Sequence, residues 1–394
     1  MNSISEIAVR LRNGKSVRQS RGANGLPITR IETIADGTIN SAKVGFANLG
    51  KSECTDWLLR DGDILISHIN STRHLGKCAI YEGDPPALVH GMNLLALRVD
   101  QDVAANRYVY RMLSSPGFRR QLPRITKDSV NQSSFNISNF KKLQLPLPPL
   151  VEQKRIAAIL DAADALRDKR RESLAQLDDL LQSIFLGIFS DPVTNPMGWE
   201  ERTLGHLASD NFRNGLSPSS KGLVDGVVLT LSAITGSRFE FSARKSARFD
   251  KTPAPSQMLA VDRFLICRGN GNKRLVGAGA FPDRSSSDVC FPDTIIGVTV
   301  NPQLMTKTFL QIVWGSKRVR RQIERGARTT NGTYKVNQQI LSSILLPLPP
   351  LELQHRFATI VESIEHQKSN QRAHLAELDT LFASLQSRAF QGDL

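Results

Sequence analysis

The sequence predicts an α+β protein: two mixed α/β domains in tandem, each followed by a long helix, the two helices forming an antiparallel coiled coil of pseudo-two-fold symmetry. Three observations predict it. The hexamer LPLPPL occupies residues 145–150 and returns at 346–351, 201 residues later. After each hexamer, apolar residues recur at spacings of three and four, the period of a helix with one buried stripe. Ahead of each hexamer lie short apolar runs separated by Gly, Asp, Asn and Pro, the pattern of strands and turns.

The same shift of 201 matches more than the hexamer. Identities continue at Gln153, Arg155, Ala157, Ile159, Leu174, Ala175, Leu177, Asp178, Leu180, Ser183 and Phe189. RNG at 12–14 matches RNG at 213–215, and RRQ at 119–121 matches RRQ at 320–322. SHINSTRHLGKCAIY from Ser67 resembles CRGNGNKRLVGAGAF from Cys267 with one gap. A repeat of this length defines the domain order: a first domain 1–144, a spacer helix 145–190, a second domain 191–345 and a C-terminal spacer helix 346–394. A chain of 394 residues suits two to four domains.

In the first domain, GDILISHI and LLALRV read as strands, and NRYVYRMLSSPGFRRQL as helical. The following segment has no Pro or Gly between Val151 and Leu186. Its apolar stripe runs through Ile156, Leu160, Ala163 and Leu166, then Leu174, Leu177, Leu180 and Leu181. Pro148 and Pro149 suit an entry just before the first helical turn. A helix over 152–189 would be roughly 57 Å long. In the second domain GVVLTLSAI, DRFLICR and TIIGVTV read as strands, and TKTFLQIVWGSKRVRRQI as helical. The last helix carries Phe357, Val361, Ile364, Leu375, Leu378 and Phe382 on its stripe. One stripe this long is unstable alone in water, so each helix is expected to bury its stripe against the other. Packing of each helix on its own domain is the alternative.

Net charge is +14 and the pI about 9.9, which argues for a polyanionic partner, most often nucleic acid. The charge segregates. The two domains carry +8 and +9, and the helical segments −1 and −2. Two basic modules on nearly neutral spacers fit two separate contacts with a phosphate backbone. No run of about 18 apolar residues suggests a membrane span, and MNSISEIAVRLRNGK does not read as a signal peptide. Cys54, Cys78, Cys267 and Cys290 lie far apart without a CxxC pair, as expected of reduced thiols in a cytoplasmic protein.

Catalytic motifs are missing. The Pro-Pro pairs in DPPAL, LPPLV and LPPLE lack the aromatic of an adenine methyltransferase loop, and no GxxxxGK[ST] phosphate loop occurs. FPDRSSSDVC has no acidic-x-Lys partner at nuclease spacing, and the seven histidines show no metal spacing. The glycine-rich RGNGNKRLVGAG reads better as a turn whose tip meets DNA than as a nucleotide cradle.

These features resemble one family along the whole chain. The paired LPLPPL…Q.R.A segments with their long helices, the DILISHINSTRHLGKCAIY hairpin in each half, and NPMGWEERTLGHLA opening the second half are similar to the DNA specificity subunit of type I restriction-modification systems. The resemblance implies two target recognition domains, each reading one half of a bipartite duplex DNA site. The helix pair would fix the gap and dock two methyltransferase subunits, and restriction (translocase-nuclease) subunits would join. It implies no catalysis and no cofactor on this chain, with S-adenosylmethionine, ATP and Mg2+ held by the partner subunits. A non-catalytic adaptor of another defence complex, binding RNA or an acidic protein, and a single-chain nuclease or methyltransferase are the competing readings.

Phosphate contacts position such a reader, and base contacts specify its site. In the first domain the candidates are Lys15, Arg18 and Arg21, then His68, Asn70, Arg73 and Lys77 in the hairpin, then Lys127, Asn131 and Gln132. In the second they are Arg213, Ser219 and Lys221, then Arg268, Asn270, Asn272, Lys273 and Arg274, then Arg328, Thr330, Asn331 and Lys335. Arginine can pair with guanine, and Asn or Gln with adenine. Arg119, Arg120, Arg320 and Arg321 fall on expected helices and equally suit acidic patches on a partner subunit.

Overall fold

A computed structural model of the chain describes residues 1–394 except 21, 23, 24, 130, 131, 237 and 331. The chain forms two compact units, Met1–Glu172 with Arg372–Leu394, and Ser173–Gln371. Each unit holds one globular α+β head and part of both long helices.

The first head is built on an antiparallel sheet in the order Ala8–Asn13, Leu94–Val99, Ile64–Ser67, Cys78–Ile80. The central strands Leu94–Val99 and Ile64–Ser67 read as near-continuous apolar runs because both faces are covered. Ile64, Ile66, Leu95 and Leu97 enter a core with the helix Asn106–Leu113, while Leu65, Leu94 and Ala96 enter a separate core. The second head repeats the scheme with Arg213–Asn214, Ile295–Thr299, Arg263–Cys267 and Gly279–Ala280. It adds a second sheet in the order Arg244–Phe249, Val224–Leu229, Ser286–Cys290, Met258–Leu259. In that sheet Val224–Leu229 and Ser286–Cys290 run parallel. The run GVVLTLSAI is therefore not one strand: the strand ends at Leu229 and Ser232–Thr235 is helical.

Each expected helical stretch is two helices, Asn106–Leu113 then Pro116–Arg119, and Lys307–Trp314 then Lys317–Gly326. A serine restarts each one. Ser115 Oγ accepts from the Phe118 amide at 3.1 Å and Ser316 Oγ from the Val319 amide at 3.4 Å, the N-cap arrangement that satisfies an otherwise orphaned donor.

The hexamer joins sheet to helix. Gln144–Leu145 pairs with Asn2–Ser3, and Leu345–Leu348 with Glu200–Thr203, so each head closes on its own first residues. The prolines follow, and the long helices run Leu150–Phe189 and Leu351–Gln391. A glutamine then locks head to helix. Gln153 and Gln354 are 1% and 0% exposed. Gln153 accepts from the Ala105 amide at 2.9 Å and donates to the Pro148 and Val103 carbonyls at 2.8 and 3.3 Å. Gln354 accepts from the Thr306 amide at 2.9 Å and donates to Pro349 and Leu304 at 2.9 and 3.1 Å. A buried amide needs such partners, which is why this residue type recurs at this offset.

Within the first unit, Ile156 and Leu160 share a core with Phe382, Leu385 and Ala389. Within the second, Phe357 meets Phe185 and Phe189 with ring centroids 5.6 and 5.3 Å apart. In both units the start of one long helix lies beside the end of the other, so the pairing is antiparallel. Ion pairs repeat the relation: Arg167 Nε reaches Asp379 at 2.7 Å, and Lys368 Nζ reaches Asp178 at 2.6 Å. Residues 201 positions apart exchange roles between the two pairs. The same cores also contain Tyr108 and Val109 in one unit and Phe309 and Leu310 in the other, so the helices pack on their heads as well as on each other. Ala163 and Ile364 are buried; Leu174, Leu177, Leu181, Val361, Leu375, Leu378 and Phe382 are half-buried. Leu166 and Leu180, expected on the buried stripe, are 54% and 47% exposed. At 3.6 residues per turn, positions chosen by a strict three-four spacing drift off a straight seam. Among the described residues no helix is long and apolar enough to cross a membrane.

Candidate nucleic-acid interface

Two candidate segments of each head, distant in sequence, meet in one small antiparallel sheet at the tip of a hairpin. In the first head Ile69–Asn70, Gln132–Ser134 and Lys127–Ser129 pair in that order. In the second, Gly269–Asn270, Thr333–Lys335 and Arg328–Thr330 do the same, with Thr330 paired to Thr333. The structure thus joins Asn70 to Lys127 and Gln132, and Asn270 to Arg328 and Lys335. Arg73, Lys127 and Gln132 are exposed in one head, and Asn272, Lys273, Arg274, Arg328 and Lys335 in the other. The asparagines also shape the turns. Asn70 Oδ1 accepts from the Ser71 amide at 2.8 Å, and Asn272 Oδ1 from the Arg274 amide at 3.0 Å. Arg268 is half-buried and donates to the Asp293 carbonyl at 3.2 Å. Arg21, Asn131 and Asn331 lie outside the described residues.

His68 is a correction. It follows Ser67 into the interior, is 5% exposed, and sets its ring edge-on to Phe135 with centroids 6.2 Å apart. Burial pushes its imidazole down to about 4, so it is neutral at pH 7 and packs beneath the tip sheet instead of meeting phosphate. Lys15, Asn70 and Lys77 instead line an open cleft of about 640 Å³ together with Arg30 and His74. Lys15 Nζ donates to the Glu53 carbonyl at 2.7 Å and sits 4.3 Å from the Trp57 ring, while Lys77 Nζ donates to the Ala35 carbonyl at 2.5 Å. Both ammonium groups are oriented by carbonyls, which leave the positive charge intact. Arg18 is exposed in the adjoining loop.

In the second head the first candidate group divides. Arg213 lies on the central sheet, where Gln338 Nε2 bonds the neighbouring Asn214 side chain at 3.2 Å. Ser219 donates its amide to the Arg248 carbonyl at 2.8 Å, which sets Ser219 and Lys221 beside the edge strand Arg244–Phe249. That strand presents exposed Arg244, Lys245 and Arg248, which sequence reasoning passed over. The signal available was a basic run, RKSARF, inside a strand-length segment.

Two kinds of cation stand out. Several on and beside the long helices are paired: Arg107 and Arg111 with Asp161, Arg111 and Arg167 with Asp164, and Arg167 with Asp379. Arg98 and Arg318 within the heads are paired as well, with Asp63 and Glu201. Among the described residues none of Arg18, Arg73, Lys127, Lys221, Arg274, Arg328 or Lys335 has a carboxylate within salt-bridge distance. Arg119 and Arg320 turn inward onto hairpin carbonyls instead of presenting a surface patch, whereas Arg120 and Arg321 are exposed. All four cysteines are buried thiols, and burial pushes Cys78, Cys267 and Cys290 up to about 11. Among the described residues no group of three His, Cys, Asp or Glu could hold a metal ion.

Heads with cationic tips joined to long paired helices have counterparts among known proteins. Residues 4–177 match the family described as the type I restriction modification DNA specificity domain. A protein of Methanocaldococcus jannaschii provisionally assigned as the type I restriction enzyme MjaX specificity subunit is 36% identical over 211 residues. That match spans 53% of this chain and half the length of the relative. The StySPI specificity subunit of Salmonella potsdam is 24% identical over 393 residues, 94% of this chain and 82% of that protein. In fold, the chain is similar to the type I restriction-modification S subunit of M. genitalium, with a TM-score of 0.59 at 14% identity over 99% of this chain and 95% of that one. A chain from a study of type I R-M assembly and conformational transition gives 0.57 at 17% identity, covering 100% and 97%. Over residues 4–177 the chain is thus similar to the type I restriction-modification DNA specificity domain, and along most of its length to type I specificity subunits.

Proposed function

We propose that this chain is the non-catalytic reader of a type I restriction-modification complex. Each head recognises one half of a bipartite duplex DNA site, and the antiparallel helix pair sets the gap between the halves. The observation that carries this reading is the division of cations. In both heads, cations without a carboxylate partner gather on corresponding tip sheets, while Arg107, Arg111, Arg167 and Lys368, on and beside the long helices, are held in ion pairs. Phosphate needs the former and gains little from the latter. Exposed Arg73, Arg274 and Arg328 supply forks for guanine edges, and Gln132 an amide for adenine. Apolar Leu166, Leu180 and Leu381, left exposed on the helices, support docking of two methyltransferase subunits there, with restriction subunits completing the assembly. S-adenosylmethionine, ATP and Mg2+ would act on those partners.

Adenine-methylation mapping, in cells that supply the partner subunits, tests the reading. One split motif should be methylated when this chain is present and lost when it is deleted. Inserting four residues into Leu150–Phe189 should change the gap and leave both half-sites as they were. No motif, or new half-site letters after the insertion, would overturn it.

A further inference from the structure

The RRQ motif is repeated, and the structure shows what its first arginine does. In each head the hairpin leaves the central sheet, forms the first tip strand, turns, and comes back through a glycine with left-handed backbone, Gly76 or Gly277, each at φ 74°. Both glycines donate to the sheet, to the Ser67 and Cys267 carbonyls at 2.8 Å. Neither has room for a side chain. A Cβ on Gly76 would lie 2.1 Å from Leu122, and one on Gly277 2.6 Å from Ile323. The return limb is thus pressed onto the helical segment that carries RRQ.

The arginine closes that contact. Arg119 Nη2 donates to the Leu75 carbonyl at 3.0 Å. Arg320 Nη1 donates to Arg274 and Val276 at 3.1 and 2.6 Å, and its Nη2 to Lys273 at 3.1 Å. Glu324 holds Arg320 from the other side at 2.9 Å. Leu75 and Val276 are 201 positions apart, as are Arg119 and Arg320. A planar guanidinium can span several carbonyls of one turn, which a lysine cannot. The turn so held carries exposed Arg73 in one head and Lys273 and Arg274 in the other.

We propose that Arg119 and Arg320 are positioning residues for DNA specificity: each latches, through backbone carbonyls alone, the turn that presents one head's base-reading side chains. The latch contacts no base. It fixes where the reading side chains start, and a displaced bidentate pair loses its discrimination. This rests on the proposal that each head reads a half-site.

The test uses the complete complex with its methyltransferase subunits and maps methylated sites for Arg119→Ala, Arg320→Ala and Arg320→Lys. Arg119→Ala should relax letters in one half-site only, and Arg320→Ala in the other half only, with the gap unchanged. Discrimination at the affected positions should fall about tenfold for Arg320→Ala, and less for Arg119→Ala, which removes one bond where Arg320→Ala removes three. Arg320→Lys keeps the charge and stem and should fall between wild type and alanine. Where the Arg320→Ala chain fails to assemble, Arg320→Lys supplies the same readout, and Arg119→Lys does so in place of Arg119→Ala. Lower methylation with every letter still strictly read would show a fold-stabilising contact only and overturn the proposal, as would relaxation of both halves by one substitution. If the wild-type complex marks no split motif, it is the underlying reading that fails.

Discussion

Among the described residues, the first head places the short pair Pro27–Ile28 and Gly45–Phe46, the one-turn helix Lys51–Cys54 and three 3-10 turns between its first central strand and Ile64–Ser67; the second builds a four-stranded sheet in and around the matching stretch. Beneath that difference the same contacts recur at one offset. The glutamine clamp, the serine cap and the left-handed glycine each appear twice with corresponding partners, and the arginine latch appears twice with one carbonyl in common, Leu75 or Val276, to which Arg320 adds two more. Contacts that fix backbone are duplicated, and surfaces that meet solvent have diverged. Such a pattern suits two readers of unlike half-sites held in one docking geometry.

Packing beneath the heads offers the largest test of this comparison. Position 357 is an aromatic among Phe185, Phe189 and Phe309, where its counterpart Ile156 is an aliphatic in the core that holds Tyr108, Phe382 and Phe390. Phe357→Ala should cost about 3–5 kcal/mol and Ile156→Ala somewhat less. Hydrogen exchange should place each loss in its own unit. Equal loss throughout the chain from either change would mean that the units do not respond separately.

Acid should distinguish the heads next. His68 and Arg268 occupy matching places, since each carbonyl accepts the amide that follows the tip sheet, Phe135 at 3.1 Å and Val336 at 2.8 Å. Burial lowers His68 from 6.5 to about 4. The unfolded chain therefore takes up a proton near 6.5 that the folded head refuses until about 4, and stability falls as pH drops through that window. The loss in the first unit should reach about 2–3 kcal/mol. His90, also lowered by burial, adds in the same direction. His68→Gln should flatten most of the slope in exchange measured from pH 7 to 4, and a slope unchanged by that substitution would contradict the assignment.

The smallest effect concerns charge. Arg73→Gln or Lys335→Gln should each lower the salt dependence of DNA binding by about one unit of slope. Arg167→Gln, which breaks helix ion pairs, should leave that slope alone. A change at Arg167 equal to that at Arg73 would erase the distinction between the two classes of cation.

Much of this was legible in the sequence, and the rest was hidden for physical reasons. The hexamer, the helix boundaries and the central strands could be read because they rest on local chemistry: proline geometry, apolar period and turn residues. The identity of Gln153 and Gln354 was visible, but its cause was not, because Val103 and Leu304 lie 50 residues away along the chain. His68 was misread because it sits beside Asn70 in sequence while its ring enters the core. Arg119 and Arg320 looked like surface charge because nothing in a helical segment tells that a hairpin 44 to 47 residues earlier turns its carbonyls toward it. The second head's extra sheet depends on a parallel pairing across 62 residues, which no local pattern announces.

The most direct test replaces the second head, residues 201–345, with a second copy of the first, residues 1–144, keeping both long helices, and maps adenine methylation in cells supplying the partner subunits. A motif with two copies of the same half-site in opposite orientation and the original gap is expected. An unchanged motif, or none from a complex that assembles, would contradict the account of two interchangeable readers on one spacer.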